Sequence, residues 1–205
     1  MLDIACGSGR YLEALRGRNT SAVGIDLSRP LLQRAAQEVG AALVRGDMRR
    51  LPFRSAAFAV ALSMFTSLGY FATPDDDAVV LAEAARVLRP GGHFVLDYLN
   101  AGWTRAHLVP EGRRSVGPYE VTEQRRIAAG PDGLDRVEKT MRLDDGRGGV
   151  MTVREEVLLL DESALTELLT AAGFSVVERL GDYEGRPWHA LDTPRCLLVA
   201  QRTAS

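Results

Sequence analysis

The chain has 205 residues, 46% of them hydrophobic, and a formal net charge of −2. This length and composition predict one domain with a well-buried core. The small net charge argues against an electrostatic surface for nucleic acid or for an anionic membrane. No stretch is apolar enough to cross a bilayer and no signal peptide precedes the fold, so we expect no membrane segment. Cys6 and Cys196 form no CxxC or Cys/His cluster, which indicates reduced thiols, a cytoplasmic protein and no metal site.

The first ten residues contain the motif around which the rest of the chain is organised. An apolar run, Leu2–Ile4, passes into a turn with two glycines, and apolar residues at helical spacing follow at once. This pattern predicts a strand, a tight turn and a helix whose free N–H groups lie near a ligand. Asp3 lies inside the strand, where a carboxylate is costly unless a cation or several N–H donors meet it.

The series Asp3-x-Ala5-x-Gly7-x-Gly9 resembles the first motif of the class I S-adenosylmethionine-dependent methyltransferases, acid-x-Gly-x-Gly-x-Gly. Ala5 replaces the first glycine of that pattern. Two other interpretations stay open at this point. One is the dinucleotide fingerprint G-x-G-x-x-G, whose third glycine would fall on Leu12, and the other is a tight turn that binds no ligand.

A second buried strand, Ala22–Asp26, ends in an acid about seventeen residues after Gly9, near the spacing at which a strand-end carboxylate meets ribose hydroxyls. A carboxylate suits that place because it can accept hydrogen bonds from both hydroxyls. Asp26 could instead cap the following helix. Ser28 with Pro30 close behind already fits that role, so we favour ligand binding for Asp26.

A third strand, Ala42–Arg45, is followed by Gly46-Asp47-Met48. The family resemblance implies that Asp47 accepts a hydrogen bond from the adenine amine and that the following N–H donates to a ring nitrogen. The alternative is an ordinary turn in which Asp47 binds its own backbone. Three acid-bearing strands in succession favour the binding role.

A fourth strand, Phe58–Ser63, leads into the segment from Met64 to Phe71. In the family this exit faces the methionine part of the cofactor and the reacting methyl group. The resemblance implies that Ser63 and Met64 offer backbone carbonyls to the cofactor ammonium and that Tyr70 lies beside the substrate. We interpret the apolar residues Phe65, Leu68 and Phe71, which follow helical spacing, as core and not as pocket.

The segment 101–160 departs from the alternation of strands and helices. Three segments of alternating polarity are separated by glycine-rich turns and predict an antiparallel meander: Tyr119–Ile127, Leu134–Leu143 and Met151–Leu160. We expect this meander to form a lid or wall over the substrate, or a homodimer surface. Trp103 and His107 precede it and either line the same pocket or are exposed loop residues.

The remaining elements complete an α/β pattern. A helix opened by Pro74 precedes a fifth strand, and a helix capped by Asp161 precedes two more strands. The resemblance implies that the last strand is antiparallel. We therefore predict a single domain over 1–205, with a doubly wound, mostly parallel seven-stranded Rossmann-like sheet and the meander over 101–160 as an insertion.

The predicted function is transfer of a methyl group from S-adenosylmethionine to nitrogen or oxygen of a small-molecule acceptor. The candidate catalytic residues are Tyr70 and His107, with His189 as a further candidate base. The candidate cofactor-binding residues lie at the ends of the first four strands: Asp3, Ala5, Gly7, Gly9, Asp26, Leu27, Asp47, Met48, Ser63 and Met64.

Two other functions remain alternatives: a nicotinamide-dependent oxidoreductase on a similar sheet, and a catalytically impaired cofactor-binding domain. The second is motivated by the start of the chain. Family members usually carry helices before the first motif, whereas the motif here begins beside Met1. We expect either a start codon assigned too late, which we favour, or a shortened form.

Overall fold

The computed structural model describes residues 1–15, 18, 21–71 and 73–203, and within them the chain forms two sheets. The large sheet contains β1 (Leu2–Ile4), β2 (Val23–Asp26), β3 (Ala42–Arg45), β4 (Phe58–Ser63), β5 (Leu88–Leu99), β10 (Phe174–Leu180) and β11 (Arg195–Arg202). The small sheet contains β6 (Glu111–Val116), β7 (Tyr119–Ala129), β8 (Asp135–Asp144) and β9 (Val150–Leu158). The helices are α1 (Arg10–Ala14), α2 (Arg29–Glu38), α3 (Pro74–Val87), α4 (Ala101–His107) and α5 (Glu162–Ala171).

The large sheet has the strand order β10-β11-β5-β4-β1-β2-β3. The chain builds outward from β1 to β3, returns to the other side of β1, and builds outward again from β4. Strand β11 is antiparallel to both of its neighbours, and the other neighbouring pairs are parallel. The predicted doubly wound, mostly parallel sheet of seven strands is confirmed, and its topological switch lies between β1 and β4.

The helices begin where the sequence provides caps. The Ser28 side chain accepts a hydrogen bond from the N–H of Leu31 at the start of α2, and Asp161 accepts one from Ala164 at the start of α5. Helix α3 begins with Pro74, and acids follow in its first turn. Among the described residues, no helix has the length and apolarity that a membrane span needs.

The core lies between the large sheet and its helices. Helix α2 packs on β2 and β3, α3 packs on β5, and α5 packs on β10 and α3. Most of the largest fully buried side chains belong to the central strands and to the helices that cover them. Phe94 of β5 stacks on Phe174 of β10 with ring centroids 5.4 Å apart, which ties the late antiparallel pair to the parallel part of the sheet.

The small sheet is an antiparallel meander, as expected, but it has four strands and not three. The additional strand, β6, pairs with β7 in a register that puts Glu111 opposite Gln124. Its sequence, Glu-Gly-Arg-Arg-Ser-Val, lacks the apolar alternation that marks a strand, because this edge strand is mostly exposed. Helix α4 just before it was likewise not predicted.

The two sheets meet at a seam formed by Gly69, Tyr98 and Leu158. The carbonyl of Gly69 accepts a hydrogen bond from the N–H of Leu158 at 2.9 Å, and the Tyr98 hydroxyl donates to the carbonyl of Leu158 at 2.6 Å. Because Tyr98 is fully buried at the end of β5, these bonds fix the end of β9 against the large sheet.

Candidate active site

The parallel register brings the ends of the first four strands to one edge of the large sheet. Ile4 of β1 lies opposite Ile25 of β2 and opposite Ser63 of β4, and Asp26 lies opposite Arg45 of β3. The strand-end residues predicted to bind the cofactor therefore share an edge, and this edge lies at the topological switch. Ligands of doubly wound folds bind at such a point.

Asp26 links the first motif to the second strand. One of its carboxylate oxygens accepts the N–H of Gly7 at 2.8 Å, and the other accepts the N–H of Ser28 at 2.8 Å. Ser28 provides the helix cap itself, so Asp26 orders the turn before the cap. Each carboxylate oxygen has a second lone pair, so these bonds leave Asp26 able to accept further hydrogen bonds.

The motif turn contains residues in the left-handed backbone region. Ala5, where the family pattern has glycine, has φ 58°, Gly7 has φ 55° and Gly9 has φ 84°. A Cβ added to Gly9 would lie 2.7 Å from Cγ2 of Val39, so the turn can approach α2 closely only without a side chain. A Cβ added to Gly7 would meet no atom within 4 Å among the described residues, so the turn faces open space at Gly7.

Asp3 is a buried carboxyl beneath this turn. Its side chain is about 1% exposed, and its Oδ2 has no hydrogen-bond partner within the described part of the chain. Burial, with the nearby charge of Asp26 as a second cause, raises the pKa of Asp3 to about 7. A buried polar atom without a partner fits a site that receives a donor or a cation from a ligand.

The other candidate cofactor residues lie in more ordinary surroundings. Asp47 accepts the N–H of Arg49 at 2.9 Å and pairs with the Arg49 guanidinium at 2.7 Å, which lowers the pKa of Asp47. This is the turn geometry that we kept as an alternative. Leu27 is exposed, Met48 packs against the core, Met64 is half-buried, and the hydroxyls of Ser63 and Ser67 are 2.7 Å apart.

A cavity of about 400 Å³ lies between the large and small sheets, and we refer to it as the inter-sheet cavity. Tyr70, Trp103 and His107, which the sequence singled out, all line it. Its other walls come from the exit of β4, from the segment after β5, from the inner face of the small sheet and from β11: Phe65, Thr66, Leu99, Thr104, Leu108, Val109, Arg125, Val137, Lys139, Glu155, Val157 and Arg195.

The two candidate catalytic residues differ in what they can do with a proton. His107 Nδ1 lies 3.0 Å from the carbonyl oxygen of Trp103, which can only accept, so the neutral ring carries its proton on Nδ1. Nε2 is then left as a proton acceptor. Burial, with a smaller contribution from Glu155, raises the pKa of Tyr70, so this residue is a neutral phenol at physiological pH.

Charged side chains line the small-sheet wall of the cavity. Glu123 is buried and pairs with Arg125, and the Lys139 Nζ lies 3.8 Å from the same carboxylate. Glu155 pairs with Lys139 at 3.5 Å. Both cations and Glu155 line the cavity, which therefore offers partners to an acceptor with polar or charged groups.

The structure corrects the interpretation of Phe65 and places His189 outside the cavity lining. Phe65 was interpreted as core, but it is 52% exposed and lines the inter-sheet cavity, whereas Leu68 is fully buried. No helix forms over 64–71, so the helical spacing was accidental. His189 lies outside the residues that line the cavity and pairs on the surface with Asp192 at 2.9 Å.

Three residues next to the cavity were not predicted from the sequence: Asp97 near the end of β5, Tyr183 and Arg195. The fully buried Asp97 carboxylate accepts hydrogen bonds from the Tyr183 hydroxyl at 2.5 Å and from Arg195 Nε at 2.7 Å. A signal was available for Asp97, which lies near the carboxyl end of an apolar strand. Tyr183 and Arg195 gave no such signal, because they reach Asp97 only through the fold.

The chain resembles known methyltransferases in both sequence and structure. The family model described as "Methyltransferase domain" matches residues 1–92. A dTDP-3-amino-3,4,6-trideoxy-alpha-D-glucopyranose N,N-dimethyltransferase of Streptomyces venezuelae is 29% identical over 196 residues, which are 91% of this chain and 79% of that protein. A dTDP-3-amino-3,6-dideoxy-alpha-D-glucopyranose N,N-dimethyltransferase of Streptomyces fradiae is 28% identical over 204 residues, 91% of this chain and 74% of that protein.

Solved methyltransferase structures also resemble this chain. DesVI of Streptomyces venezuelae superposes with a TM-score of 0.70 at 26% identity, over 99% of this chain and 83% of that one. The CcbJ methyltransferase of Streptomyces caelestis superposes with a TM-score of 0.83 at 20% identity, over the same shares, which shows a common fold. The open space at Gly7 and the unpartnered oxygen of Asp3 fit a bound cofactor at the strand ends. Over residues 1–92 and in its fold, the chain is therefore similar to the class I S-adenosylmethionine-dependent methyltransferases, whose methyl donor is S-adenosylmethionine.

Proposed function

We propose that the protein transfers the methyl group of S-adenosylmethionine to an amino or hydroxyl group of a small-molecule acceptor in the inter-sheet cavity. One observation carries this proposal: the cavity adjoins the exit of β4, at the edge where the candidate cofactor residues end, and Tyr70 and His107 both line it. Its volume of about 400 Å³ is in the range of small-molecule sites.

We assign the donor site to the strand ends of β1 to β4. Asp26 would bind the ribose hydroxyls, and Asp47 with the Met48 N–H would hold the adenine, beside the exposed Leu27. Ala5, Gly7 and Gly9 would let the backbone approach the cofactor. The Ser63 and Met64 carbonyls and the buried Asp3 would lie nearest its cationic methionine part. When bound, S-adenosylmethionine supplies an electrophilic methyl group on a sulfonium.

The chain's own contribution to the reaction is alignment and removal of a proton. Holding donor and acceptor in line can supply roughly 7–11 kcal/mol of the barrier in favourable cases. The acceptor nitrogen or oxygen would form its new bond to the methyl carbon with a lone pair, while the carbon–sulfur bond breaks and its electron pair stays on sulfur, and the acceptor would lose a proton. We assign the acceptance of that proton to His107 Nε2, and we assign to neutral Tyr70 a hydrogen bond with the acceptor.

The acceptor class follows from the cavity wall and from the relatives. Arg125, Lys139 and Glu155 provide charges of both signs, which suit an acceptor with an amine and other polar groups. The Streptomyces relatives are named for N,N-dimethylation of amino sugars carried on dTDP. An amino sugar is therefore the first acceptor to test.

A methyl-transfer screen with labelled S-adenosylmethionine tests this function. We expect label in at least one acceptor from a panel of amino sugars, free or carried on a nucleoside diphosphate, with matched hydroxyl analogues in a second arm. In His107→Gln we expect the turnover number to fall about 10²-fold, the scale of one general base. The exposed His93→Gln is the matched control and should leave turnover unchanged. Undiminished turnover in His107→Gln would exclude the base role.

Asp26→Ala tests the donor site. We expect the binding free energy of S-adenosylhomocysteine, measured by calorimetry, to become about 1–3 kcal/mol less favourable, the scale of hydrogen bonds to a charged group. Asp135→Ala is the control, because Asp135 pairs with Arg105 on the small sheet at 2.9 Å, away from the strand ends. Wild-type affinity in Asp26→Ala would contradict the ribose assignment.

The chain's organisation and location are also proposals. We propose that residues 1–205 form one domain, with 101–160 as an insertion that covers the acceptor. A homodimer through the small sheet and a cytoplasmic location are consistent with the exposed polar side chains of that sheet. Sedimentation velocity over a concentration series tests the dimer, which requires a concentration-dependent shift of the sedimentation coefficient.

A further inference from the structure

The turn after β4 has a strained backbone. Phe65 and Thr66 are consecutive residues in the left-handed region, each with φ 58°, although both carry a Cβ and Thr66 is β-branched. Such a conformation persists only where the surroundings fix it. Both residues also line the inter-sheet cavity, so the strain lies where donor and acceptor sites adjoin.

One buried residue, Asp97, makes hydrogen bonds that fix both strained residues. Its carboxylate Oδ2 accepts the N–H of Phe65 at 2.8 Å, and its backbone carbonyl accepts the N–H of Thr66 at 2.9 Å. Its Oδ1 accepts from Arg195, whose Nη2 donates to the hydroxyl of Thr66 at 2.9 Å. Asp97 therefore holds Phe65 directly, and it holds Thr66 both directly and through Arg195.

The Phe65–Thr66 turn places the Phe65 ring between the first motif and the cavity. The Tyr183 ring stacks on Phe65 with centroids 6.0 Å apart, and its hydroxyl donates to Asp97. The ring of Tyr11 also lies 6.1 Å from that of Phe65, and the Arg10 guanidinium lies 4.5 Å from the Phe65 centroid. Phe65 thus contacts helix α1, which follows the cofactor motif, as well as the cavity.

We propose that Asp97 is a positioning residue for methyl transfer. Its carboxylate imposes the left-handed Phe65–Thr66 turn and so sets the partition between the donor site and the acceptor cavity. The proposal rests on the proposed function for its kinetic consequence, but the turn itself can be tested without any substrate.

The substrate-free test is amide hydrogen exchange measured by NMR in Asp97→Asn. The asparagine side chain has an NH2 group in place of one carboxylate oxygen. This group faces either Arg195 or the N–H of Phe65, and because both of these are donors, one of the two hydrogen bonds is lost. We expect the Phe65 amide to exchange at least about ten-fold faster, while the amide of Leu62 in β4 is unchanged. Tyr183→Phe is the matched control, because it removes one donor from Asp97 and leaves the Phe65 amide protected. Unchanged exchange at Phe65 in Asp97→Asn would overturn the proposal.

The kinetic test uses a second substitution that relieves the strain. In Asp97→Asn we expect the turnover number to fall about ten- to hundred-fold, with the acceptor KM within about three-fold of wild type, since alignment and not binding is lost. Thr66→Gly added to Asp97→Asn removes the left-handed penalty and should restore turnover to near that of Thr66→Gly alone. A double variant no better than Asp97→Asn would contradict the positioning role.

The double variant also decides the case in which Asp97→Asn does not fold. A cooperative melt regained by Thr66→Gly supports the role of Asp97 in imposing the turn, and a double variant that stays unfolded overturns it. If wild-type protein transfers no methyl group to any acceptor, the proposed function fails, while the exchange result for Phe65 still decides whether Asp97 holds the turn.

Discussion

Asp3→Asn is expected to stabilise the protein and weaken its cofactor binding at the same time. Asp3 is buried near the charge of Asp26, which raises its pKa from 3.8 to about 7, and its Oδ2 has no hydrogen-bond partner among the described residues. Above pH 7, where Asp3 is ionised, this rise lowers the free energy of unfolding by about 4 kcal/mol. A neutral asparagine avoids that cost, so the variant should unfold at higher urea concentration at pH 8.

The sign of the pH dependence follows from linkage. A carboxyl whose pKa is raised in the folded state binds its proton more tightly when folded, so its contribution to stability falls as the pH rises. The advantage of Asp3→Asn should therefore be absent below about pH 4, grow up to about pH 7 and stay constant above it. Urea unfolding at pH 4, 6 and 8 measures this trend. A constant difference across the series would contradict it.

Cofactor binding should change in the opposite direction. If Asp3 lies near the cationic methionine part of the cofactor, its loss should weaken S-adenosylhomocysteine binding at least about ten-fold, the scale of a charge-assisted hydrogen bond. Asp144→Asn is the control: the N–H of Gly146 and the guanidinium of Arg142 lower the pKa of Asp144. This control should lose some stability above pH 4 and leave binding unchanged. Wild-type affinity in Asp3→Asn would show that Asp3 does not contribute to the donor site.

Gly69→Ala is expected to destabilise the protein by about 3 kcal/mol. Gly69 has φ 88°, and a Cβ there would lie 2.4 Å from the buried Tyr98 hydroxyl and 3.2 Å from Cγ1 of Val157. Overpacking costs about 1–3 kcal/mol and a left-handed alanine about 1–2 kcal/mol. Since Gly69 also binds Leu158 through its carbonyl, the substitution should disturb the seam between the two sheets.

A matched variant separates the two costs. Gly117 in the turn between β6 and β7 has φ 57°, and a Cβ there would meet no atom within 4 Å among the described residues. Gly117→Ala should therefore show only the backbone cost, about 1–2 kcal/mol. Chemical denaturation of the two variants measures the difference, which should be at least about 1 kcal/mol. Equal losses would mean that the seam can yield to a methyl group at no cost.

The large sheet was predictable because its sequence signals are local. Each early strand is a short apolar run that ends at an acid or a turn, and caps such as Ser28 and Asp161 sit directly before their helices. The fifth strand was harder to delimit. Strand β5 begins at Leu88 and takes in the segment Arg-Pro-Gly-Gly, a composition typical of turns, with a shift of register against β4. No local pattern signals such an irregularity.

The candidate site was predictable only in part, for the same reason. Asp26, which ends a strand, and Tyr70, which lies in the segment after one, can be assigned to the shared edge and its loops from the order of elements alone. The hydrogen bonds of Asp97 join residues up to 98 positions apart, so no spacing in the sequence predicts them. Phe65 was misplaced because helical spacing was assumed, whereas tertiary contacts to Asp97 impose a left-handed turn.

The inter-sheet cavity has a consequence for how such a protein can diverge. Most of its small-sheet wall comes from one contiguous stretch, strands β7 to β9, whereas the candidate donor residues all lie before Phe65. Replacements in that stretch can reshape what enters the cavity without touching the methyl-donor residues. A lineage can thus acquire new acceptors through substitutions in a single interval of its gene. Selection on the earlier residues, which are assigned to the methyl donor, stays unchanged.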